Sequence, residues 1–170
     1  MGLFSRIFPK KELTTEPIDL SFLRNDIHSH LIPGIDDGSP DMETTIMLLK
    51  KFIDLGYKKV ITTPHVMSDY YKNTPEIILS GLDKVKTEII KNNLSIEIEA
   101  AAEYNLEPEF EDLLEKNNLL TFGPEKYLLF ELSFFEEPPR VNDIIWKMRE
   151  KGVSPVLAHV ERYAYWHKDY

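Results

Sequence analysis

The sequence predicts an α/β fold in which helices cover a mostly parallel sheet. Apolar segments with strand patterning alternate with longer segments of helical periodicity along most of the chain, which is typical of βαβ units. Five predicted strands each have a His or Glu near the same end, where α/β barrels carry their functional residues. The 170 residues, 42% of them hydrophobic, are enough for one domain with a sizeable core.

The first predicted strand carries D-I-H-S-H at 26–30, and the loop after it carries G-I-D-D-G at 34–38. Side chains of a strand alternate between its two faces, so His28 and His30 point the same way and can bind one metal ion together. An H-x-H pair alone is weak evidence, because a surface pair or a half-buried hydrogen-bonded pair has the same spacing. The His and Glu residues of the later strands help to decide between a metal-binding pair and an ordinary histidine pair.

The clearest helix is predicted over residues 39–55. Ser39 is a suitable N-cap and Pro40 fits the first helical position. One face of this helix is apolar and is assigned to the core: Met42, Ile46, Leu49 and Ile53. A short buried strand over 57–63 follows and leads to His65.

The same alternation continues along the chain. Helices are predicted to begin near residues 74, 107 and 138, and strands are predicted over 94–102, 127–133 and 154–158. The first of these strands leads to Glu103, the second contains Glu131 near its end, and the third leads to His159. Residues 165–170 are predicted to continue as a helix.

Six side chains should therefore meet at one edge of the sheet: His28, His30, His65, Glu103, Glu131 and His159. Each has an ordinary alternative, such as a helix cap, an ion pair with lysine, a solvent-facing strand residue or a hydrogen-bonded core histidine. Their shared position favours a cluster of ligands for two or more Mn, Fe or Zn ions. The chain has no cysteine, which excludes disulfides, thiolate nucleophiles and Cys-based zinc sites.

Charge and hydropathy disfavour several other functions. The net charge of −9 disfavours nucleic-acid binding, which depends on Lys and Arg contacts to phosphate. The sequence has no apolar run of the roughly 18–20 residues that span a bilayer and no recognisable signal peptide, so a cytoplasmic protein is expected. Residues 1–21 are interpreted as an N-terminal arm and residues 22–170 as the domain. Arg6 stands where a myristoylation signal requires Ser or Thr, so a lipid anchor is rejected.

Six short motifs resemble those of one known family. They are D-I-H-S-H at 26–30, G-I-D-D-G at 34–38, T-P-H at 63–65, A-E-Y at 102–104, F-E-L at 130–132 and A-H-V-E-R-Y at 158–163. Together they resemble the polymerase and histidinol phosphatase (PHP) superfamily. Within it they resemble the manganese-dependent bacterial tyrosine-protein phosphatases that act on capsule and exopolysaccharide tyrosine kinases. The D-D-G loop together with A-H-V-E-R-Y is specific to the phosphatase branch.

The resemblance implies a PHP-type distorted TIM-like barrel and a phosphotyrosine protein, such as a bacterial tyrosine kinase, as the substrate. It implies that the six His and Glu side chains bind two or three Mn²⁺ ions, with Fe or Zn as alternatives, and that Glu103 or Glu131 bridges ions. It also implies that Arg162 contacts the phosphate and that Asp37 is an active-site acid, with hydrolysis by a metal-activated hydroxide. For Arg162 an ion pair with Glu161 stays an alternative, and for Asp37 a role in turn geometry alone.

One part of the family pattern has no match. A late Ser-Asp-x-His element and a second arginine are expected from the family, and nothing after Tyr163 matches them. A closed barrel normally needs about 250 residues, so with five strands a C-terminally incomplete domain with an exposed last edge is expected. Two other functions stay open: a PHP phosphoesterase for a small metabolite such as histidinol phosphate, and a non-catalytic phosphopeptide-binding or assembly module. Assembly into a homo-oligomer stays open too.

Overall fold

The computed structural model describes residues 21–169, so the predicted N-terminal arm, apart from its last residue, lies outside the described residues. This part of the chain has seven strands: β1 Asn25–Ser29, β2 Lys59–Thr62, β3 His65–Val66, β4 Glu97–Ala100, β5 Glu103–Asn105, β6 Tyr127–Glu131 and β7 Ser154–Leu157. It has four α-helices: α1 Met42–Asp54, α2 Pro75–Lys91, α3 Pro108–Glu115 and α4 Val141–Glu150. Short 3-10 helices cover Ser21–Leu23, Val160–Arg162 and Ala164–Asp169. None of the helices described is long and apolar enough to cross a membrane.

Every pairing between these strands is parallel. One sheet has the order β1-β2-β4, and the other has the order β3-β5-β6-β7. Since β2 continues into β3 and β4 into β5, the two sheets can be combined into one order of five strand positions: β1, β2/β3, β4/β5, β6 and β7. A helix connects each pair of neighbours in this combined order, as the alternating pattern predicts. The predicted α/β class with parallel sheets is confirmed.

The count of seven strands exceeds the predicted five because two short strands, β3 and β5, lie just beyond the ends of the predicted strands over 57–63 and 94–102. Residues 63–64 separate β2 from β3, and residues 101–102 separate β4 from β5. A backbone hydrogen bond still connects the two sheets, since the Glu103 N–H donates to the carbonyl oxygen of Pro64 at 3.0 Å. His65 and Glu103 were expected to follow strand ends. They instead begin the short strands beyond each interruption and pair with each other in register.

The beginning of α1 differs from the prediction by two residues. Its N-cap is Asp41, whose carboxylate accepts a hydrogen bond from the Thr44 N–H at 2.7 Å. Ser39, the predicted cap, is buried, and its hydroxyl hydrogen-bonds with the Thr45 hydroxyl at 2.7 Å. The Ser39 hydroxyl therefore attaches the loop to the helix rather than capping it.

Two apolar clusters lie on opposite faces of the sheets. The large core cluster takes its side chains from all four helices and one face of the strands, including Leu49, Ile78, Phe110, Met148 and Val60. A smaller cluster lies on the other face and contains Ile61, Ala101, Phe122, Leu129 and Ala158. Consecutive residues of β2 thus enter different clusters, because strand side chains alternate. Burial on both faces explains the nearly continuous apolar sequence of β6, whereas in β4 the exposed Glu97 and Glu99 alternate with Ile98 and Ala100.

The two outer strands of the combined order are β1 and β7. Among the described residues, β1 pairs only with β2 and β7 only with β6. Four strand spacings of about 4.8 Å would separate them by roughly 19 Å in a flat sheet. Yet Nε2 of His28, in β1, lies 3.2 Å from Nε2 of His159, just after β7. The sheets therefore curve strongly and bring the residues of their outer strands together.

Candidate metal centre

The end of β1 and the following loop position the first two histidines. His28 lies in β1 and His30 directly after it, and their rings are 5.4 Å apart, as the alternation of strand side chains predicts. The loop folds back over His30, since the Ser39 N–H donates to the His30 carbonyl oxygen at 3.0 Å. A Cβ atom at Gly38 would lie 2.3 Å from the Cβ of His30, so this close approach requires glycine.

Asp36 orients the ring of His30. The ring Nδ1 donates to the fully buried carboxylate at 2.7 Å, and the same carboxylate accepts the N–H groups of Gly38 and His65, both at 3.0 Å. The other ring nitrogen, Nε2, then faces Glu103 at 3.3 Å. Burial alone would lower the pKa of His30, but the hydrogen bond to Asp36 and the negative charge of the nearby Glu103 raise that pKa to about 9. Asp36 is absent from the predicted site residues, although the G-I-D-D-G loop contains it.

Thr63 has the corresponding role for His28. Its buried hydroxyl accepts a hydrogen bond from Nδ1 of His28 at 2.7 Å, which leaves Nε2 directed at His159. Burial is the main cause that lowers the pKa of His28. A neutral imidazole with one nitrogen fixed by a hydrogen bond is the form that binds metal ions.

Glu103 lies at the centre of the histidines. Its Oε1 is 3.1 Å from Nε2 of His159 and 3.6 Å from Nε2 of His28. Its Oε2 is 3.3 Å both from Nε2 of His30 and from Nδ1 of His65. Burial would raise the pKa of Glu103, but the surrounding histidines lower it overall. A fully buried carboxylate thus faces four imidazole rings.

His65 connects this group to two further carboxylates. Its Nδ1 also lies 3.2 Å from Oε1 of the buried Glu131, and its Nε2 lies 3.5 Å from Oδ1 of Asp37. Asp37 is 64% exposed, so it borders solvent while the other two carboxylates are buried. Burial lowers the pKa of His65, yet Glu131 and Glu103 raise it overall. The ring of Tyr71 stacks on His65 at 5.5 Å and 12°.

The donor set fits metal ions. Three overlapping groups have ligand atoms within 4.8 Å of one another: His28 with His30 and Glu103, His30 with Asp37 and His65, and His65 with Glu103 and Glu131. Both carboxylate oxygens of Glu103 and Nδ1 of His65 are buried without a hydrogen-bond partner among the described residues. Buried polar atoms are normally paired. A cation among these atoms would satisfy them, and imidazole with carboxylate is a donor set suited to Mn, Fe and Zn.

Tyr163 holds the ends of β6 and β7 together. Its hydroxyl donates to the Ala158 carbonyl oxygen at 2.8 Å and accepts the Leu132 N–H at 3.1 Å. These two partners are the immediate neighbours of His159 and Glu131. His159 itself has a left-handed backbone with φ of 52°, which is uncommon for a residue other than glycine. The fully buried Tyr163 thus fixes a strained turn that carries a candidate ligand.

We expect Tyr163→Phe to lower the free energy of unfolding by about 1–3 kcal/mol, because it leaves the Leu132 N–H and the Ala158 carbonyl without their partner. Urea denaturation of the metal-free protein would measure this difference. The matched control is Tyr57→Phe, since the Tyr57 hydroxyl has no hydrogen-bond partner among the described residues. Equal losses in the two variants would contradict the assigned role of Tyr163.

Arg162 lies outside the cluster but close to it. It ends the 3-10 helix that follows His159, and its guanidinium carbon lies 5.5 Å from the centre of the Phe134 ring. Within the described residues it forms no ion pair, so the alternative of an ion pair with Glu161 is not realised. The side chain is exposed. The structure therefore brings the six predicted ligands and Asp37 into contact, and leaves Arg162 beside them with its charge accessible.

Asp36→Asn tests the role of the residue that the sequence prediction missed. We expect metal affinity to fall about 10- to 100-fold, because the orienting partner of a ligand imidazole contributes on that order. Competition with a fluorescent chelator would measure the affinity. Asp54→Asn, an exposed position at the end of α1, is the control. An unchanged affinity in a folded Asp36→Asn variant would contradict the role.

The curved parallel fold surrounds a buried carboxylate with four histidines, which defines an α/β protein with a candidate metal site. The chain belongs to the CpsB/CapC family of capsular polysaccharide synthesis, because the family model matches residues 24–170.

Named relatives support the same family. The chain is 31% identical over 137 residues to the tyrosine-protein phosphatase YwqE of Bacillus subtilis. This match covers 81% of this chain and 54% of YwqE. It is 29% identical over 141 residues to the tyrosine-protein phosphatase CpsB of Streptococcus pneumoniae, covering 81% of this chain and 57% of CpsB. The chain therefore spans about half the length of the curated relatives it matches.

A solved structure agrees with the fold. It comes from crystal structures of YwqE and of Streptococcus pneumoniae CpsB, which are described as metal-dependent tyrosine phosphatases. The match has a TM-score of 0.78 at 30% identity and covers 85% of this chain and 58% of that chain. The parallel α/β architecture is thus similar to that of a metal-dependent phosphatase.

Proposed function

We propose that this chain carries the metal site of a metal-dependent protein-tyrosine phosphatase. Its substrate would be phosphotyrosine on a bacterial tyrosine kinase that controls capsule or exopolysaccharide synthesis. The observation that carries the proposal is the buried Glu103 carboxylate facing four histidines, with both oxygens free of hydrogen bonds from the described residues. The names of the relatives supply the reaction class. Such a substrate would place the protein in the cytoplasm, with no nucleic-acid partner.

The ligands proposed for two or three Mn²⁺ ions are the six predicted residues, His28, His30, His65, Glu103, Glu131 and His159. Fe and Zn suit the same donors. Glu103 is the best candidate to bridge ions, because its two oxygens face different pairs of histidines. Asp37 lies close enough to His30 and His65 to join a ligand group or to act as an acid.

The mechanism assigns separate tasks to the residues. Divalent ions bound there would supply Lewis-acid chemistry to the phosphoryl group and to water. The exposed guanidinium of Arg162 presents two N–H groups to phosphate oxygens and balances their charge. Asp37 borders solvent beside His65, where its carboxylate can position water. Asp36 and Thr63 keep the rings of His30 and His28 in place.

A barrel is the proposed form of the whole fold. The combined order of strands, taken through both interruptions, corresponds to five βα units of a PHP-type distorted TIM-like barrel. Support comes from the contact between His28 and His159, which requires strong curvature, and from the small apolar cluster on the inner face. A homo-oligomer is a further part of this proposal, and a measurement of the oligomeric state in solution would test it.

The test pairs metal content with turnover. The purified chain is loaded with manganese, its metal is counted by mass spectrometry, and hydrolysis of a phosphotyrosine peptide is compared with that of histidinol phosphate. Two or more ions with preferred hydrolysis of the peptide would support the phosphatase. Preferred hydrolysis of histidinol phosphate would favour the small-metabolite phosphoesterase. Tight binding of the phosphopeptide without turnover would favour the binding module.

A further inference from the structure

An aromatic side chain lies at the border of the candidate metal centre. Phe134, in the loop after β6, is 40% exposed, and its ring centre lies 6.5 Å from that of His159. The guanidinium carbon of Arg162 lies 5.5 Å from the same ring centre, within the range of a cation–π contact. A partly exposed aromatic ring thus adjoins both a candidate metal ligand and the candidate phosphate contact.

This ring is fixed by buried neighbours. Phe134 stacks on Tyr163 with centres 5.8 Å apart and planes at 19°, and Tyr163 is fully buried. The residue before it is also held, because the Tyr165 hydroxyl donates to the Ser133 carbonyl oxygen at 2.9 Å. The next residue, Phe135, is 96% exposed and has no ring contact with the described residues. Phe134 is therefore preorganised, and Phe135 offers a matched comparison.

We propose that Phe134 is a specificity-determining residue, on whose ring the phenyl group of phosphotyrosine stacks while Arg162 binds the phosphate. This inference rests on the proposed phosphatase function. A single ester oxygen joins the phenyl ring to phosphorus, so a phosphate bound at Arg162 keeps that ring close to Phe134. Aromatic pairs prefer offset or edge-to-face geometry at centre distances of about 4.5–7 Å. Alkyl phosphates, histidinol phosphate among them, have no ring at this position.

Charge favours Phe134 over the other aromatic residue of the centre. Tyr71 stacks on His65 at the opposite end of the row of histidines. Two carboxylates lie at this end, since Oδ1 of Asp37 is 3.5 Å from Nε2 of His65 and the Asp36 carboxylate accepts the His65 N–H at 3.0 Å. A phosphate dianion is repelled by those carboxylates and attracted by the guanidinium of Arg162. The phenyl ring of the substrate therefore lies at the Phe134 end.

The test uses two phosphonates that cannot be hydrolysed. Benzylphosphonate replaces the ester oxygen of phenyl phosphate with CH₂, and butylphosphonate provides the alkyl comparison. Calorimetry with the manganese-loaded chain measures the affinity of each. We expect the wild-type chain to prefer benzylphosphonate about 2- to 10-fold, as one aromatic pair allows. Phe134→Leu should abolish this preference, Phe134→Trp should retain it, and Phe135→Leu should leave it unchanged.

Each other outcome overturns the proposal. A preference that survives Phe134→Leu would show that the ring is not the platform. A preference that is lost in Tyr71→Leu instead would place the substrate ring at the opposite end. Equal losses for both phosphonates in Phe134→Leu would mean that Phe134 only positions Arg162, and no binding of either by the wild type would mean that there is no site.

The proposed function can fail separately. A Phe134-dependent preference without hydrolysis of a phosphotyrosine peptide would support the role of Phe134 in binding the ring and contradict the phosphatase function. Hydrolysis of the peptide with a preference that does not depend on Phe134 would support the phosphatase function and contradict the role of Phe134.

Discussion

Glu103→Gln is expected to lose at least one bound metal ion and to lower phosphotyrosine hydrolysis by at least about 100-fold. Even residues that only orient metal ligands contribute about 10- to 100-fold, and Glu103 contacts four candidate ligands directly. Glutamine has nearly the same size, so the side chain still fills its space, but it carries no charge. The substitution therefore removes the negative charge that would hold the cations.

Three measurements separate this effect from misfolding. Metal content is counted by mass spectrometry, turnover is measured after manganese loading, and thermal unfolding is followed with and without manganese. At a metal concentration 100-fold above Kd, binding stabilises a protein by about 2.7 kcal/mol, and this stabilisation should be lost or reduced in the variant.

The control is Glu99→Gln, a half-exposed carboxylate on β4 that pairs with Lys59 at 2.6 Å. We expect it to retain the metal content and the turnover of the wild type. Full metal content and turnover in Glu103→Gln would contradict the assignment of the centre. Loss of the metal-free fold in that variant would assign Glu103 a structural role instead.

Arg162→Ala is expected to lower kcat/KM for a phosphotyrosine peptide about 10- to 100-fold while the metal content stays unchanged. A hydrogen bond to a charged group contributes about 1.5–3 kcal/mol, which corresponds to this range. The side chain is exposed and unpaired among the described residues, so its removal leaves no buried charge. Among residues 21–169, its contact with Phe134 is the side-chain interaction that the substitution removes.

Two further variants refine this prediction. Arg162→Lys keeps the charge without the planar fork and should recover only part of the activity. Arg149→Ala removes an exposed arginine from the end of α4 and should leave kcat/KM unchanged. A loss of bound metal in Arg162→Ala, or an unchanged kcat/KM, would contradict a role in phosphate binding.

The sequence predicted the element types well, because periodicity is a local property. The apolar stripe of α1 and the cap of α2 at Thr74 follow from spacing and residue type alone. The N-cap of α1 was wrong, since Ser39 is used in a tertiary contact with Thr45 and Asp41 takes its place. Local rules cannot decide between two residues, two positions apart, that are both good caps.

The interruptions of the strands were also not predicted. Residues 63–64 and 101–102 lie outside the strands, and the chain returns to strand conformation directly after each of them. Whether a ladder continues depends on the neighbouring strand, which lies far away in sequence. The structure nevertheless brings His65 and Glu103 together, because they pair with each other in register.

What the sequence alone determined is the kind of chemistry. The supply of His, Asp and Glu without cysteine, the H-x-H pair and the acidic residues near strand ends fix the donor types, and their spacing fixes which strands carry them. The family followed from the same motifs and is confirmed by the match over residues 24–170. These are properties of short segments, so they can be read without knowing the fold.

What only the tertiary structure decided is the direction of each donor atom and the identity of its neighbours. His28 and His159 are 131 residues apart in sequence, yet their Nε2 atoms are 3.2 Å apart. Which nitrogen of His30 is available depends on Asp36, and the position of Phe134 beside Arg162 depends on the burial of Tyr163. Such contacts arise from packing between distant segments, and no local pattern encodes them.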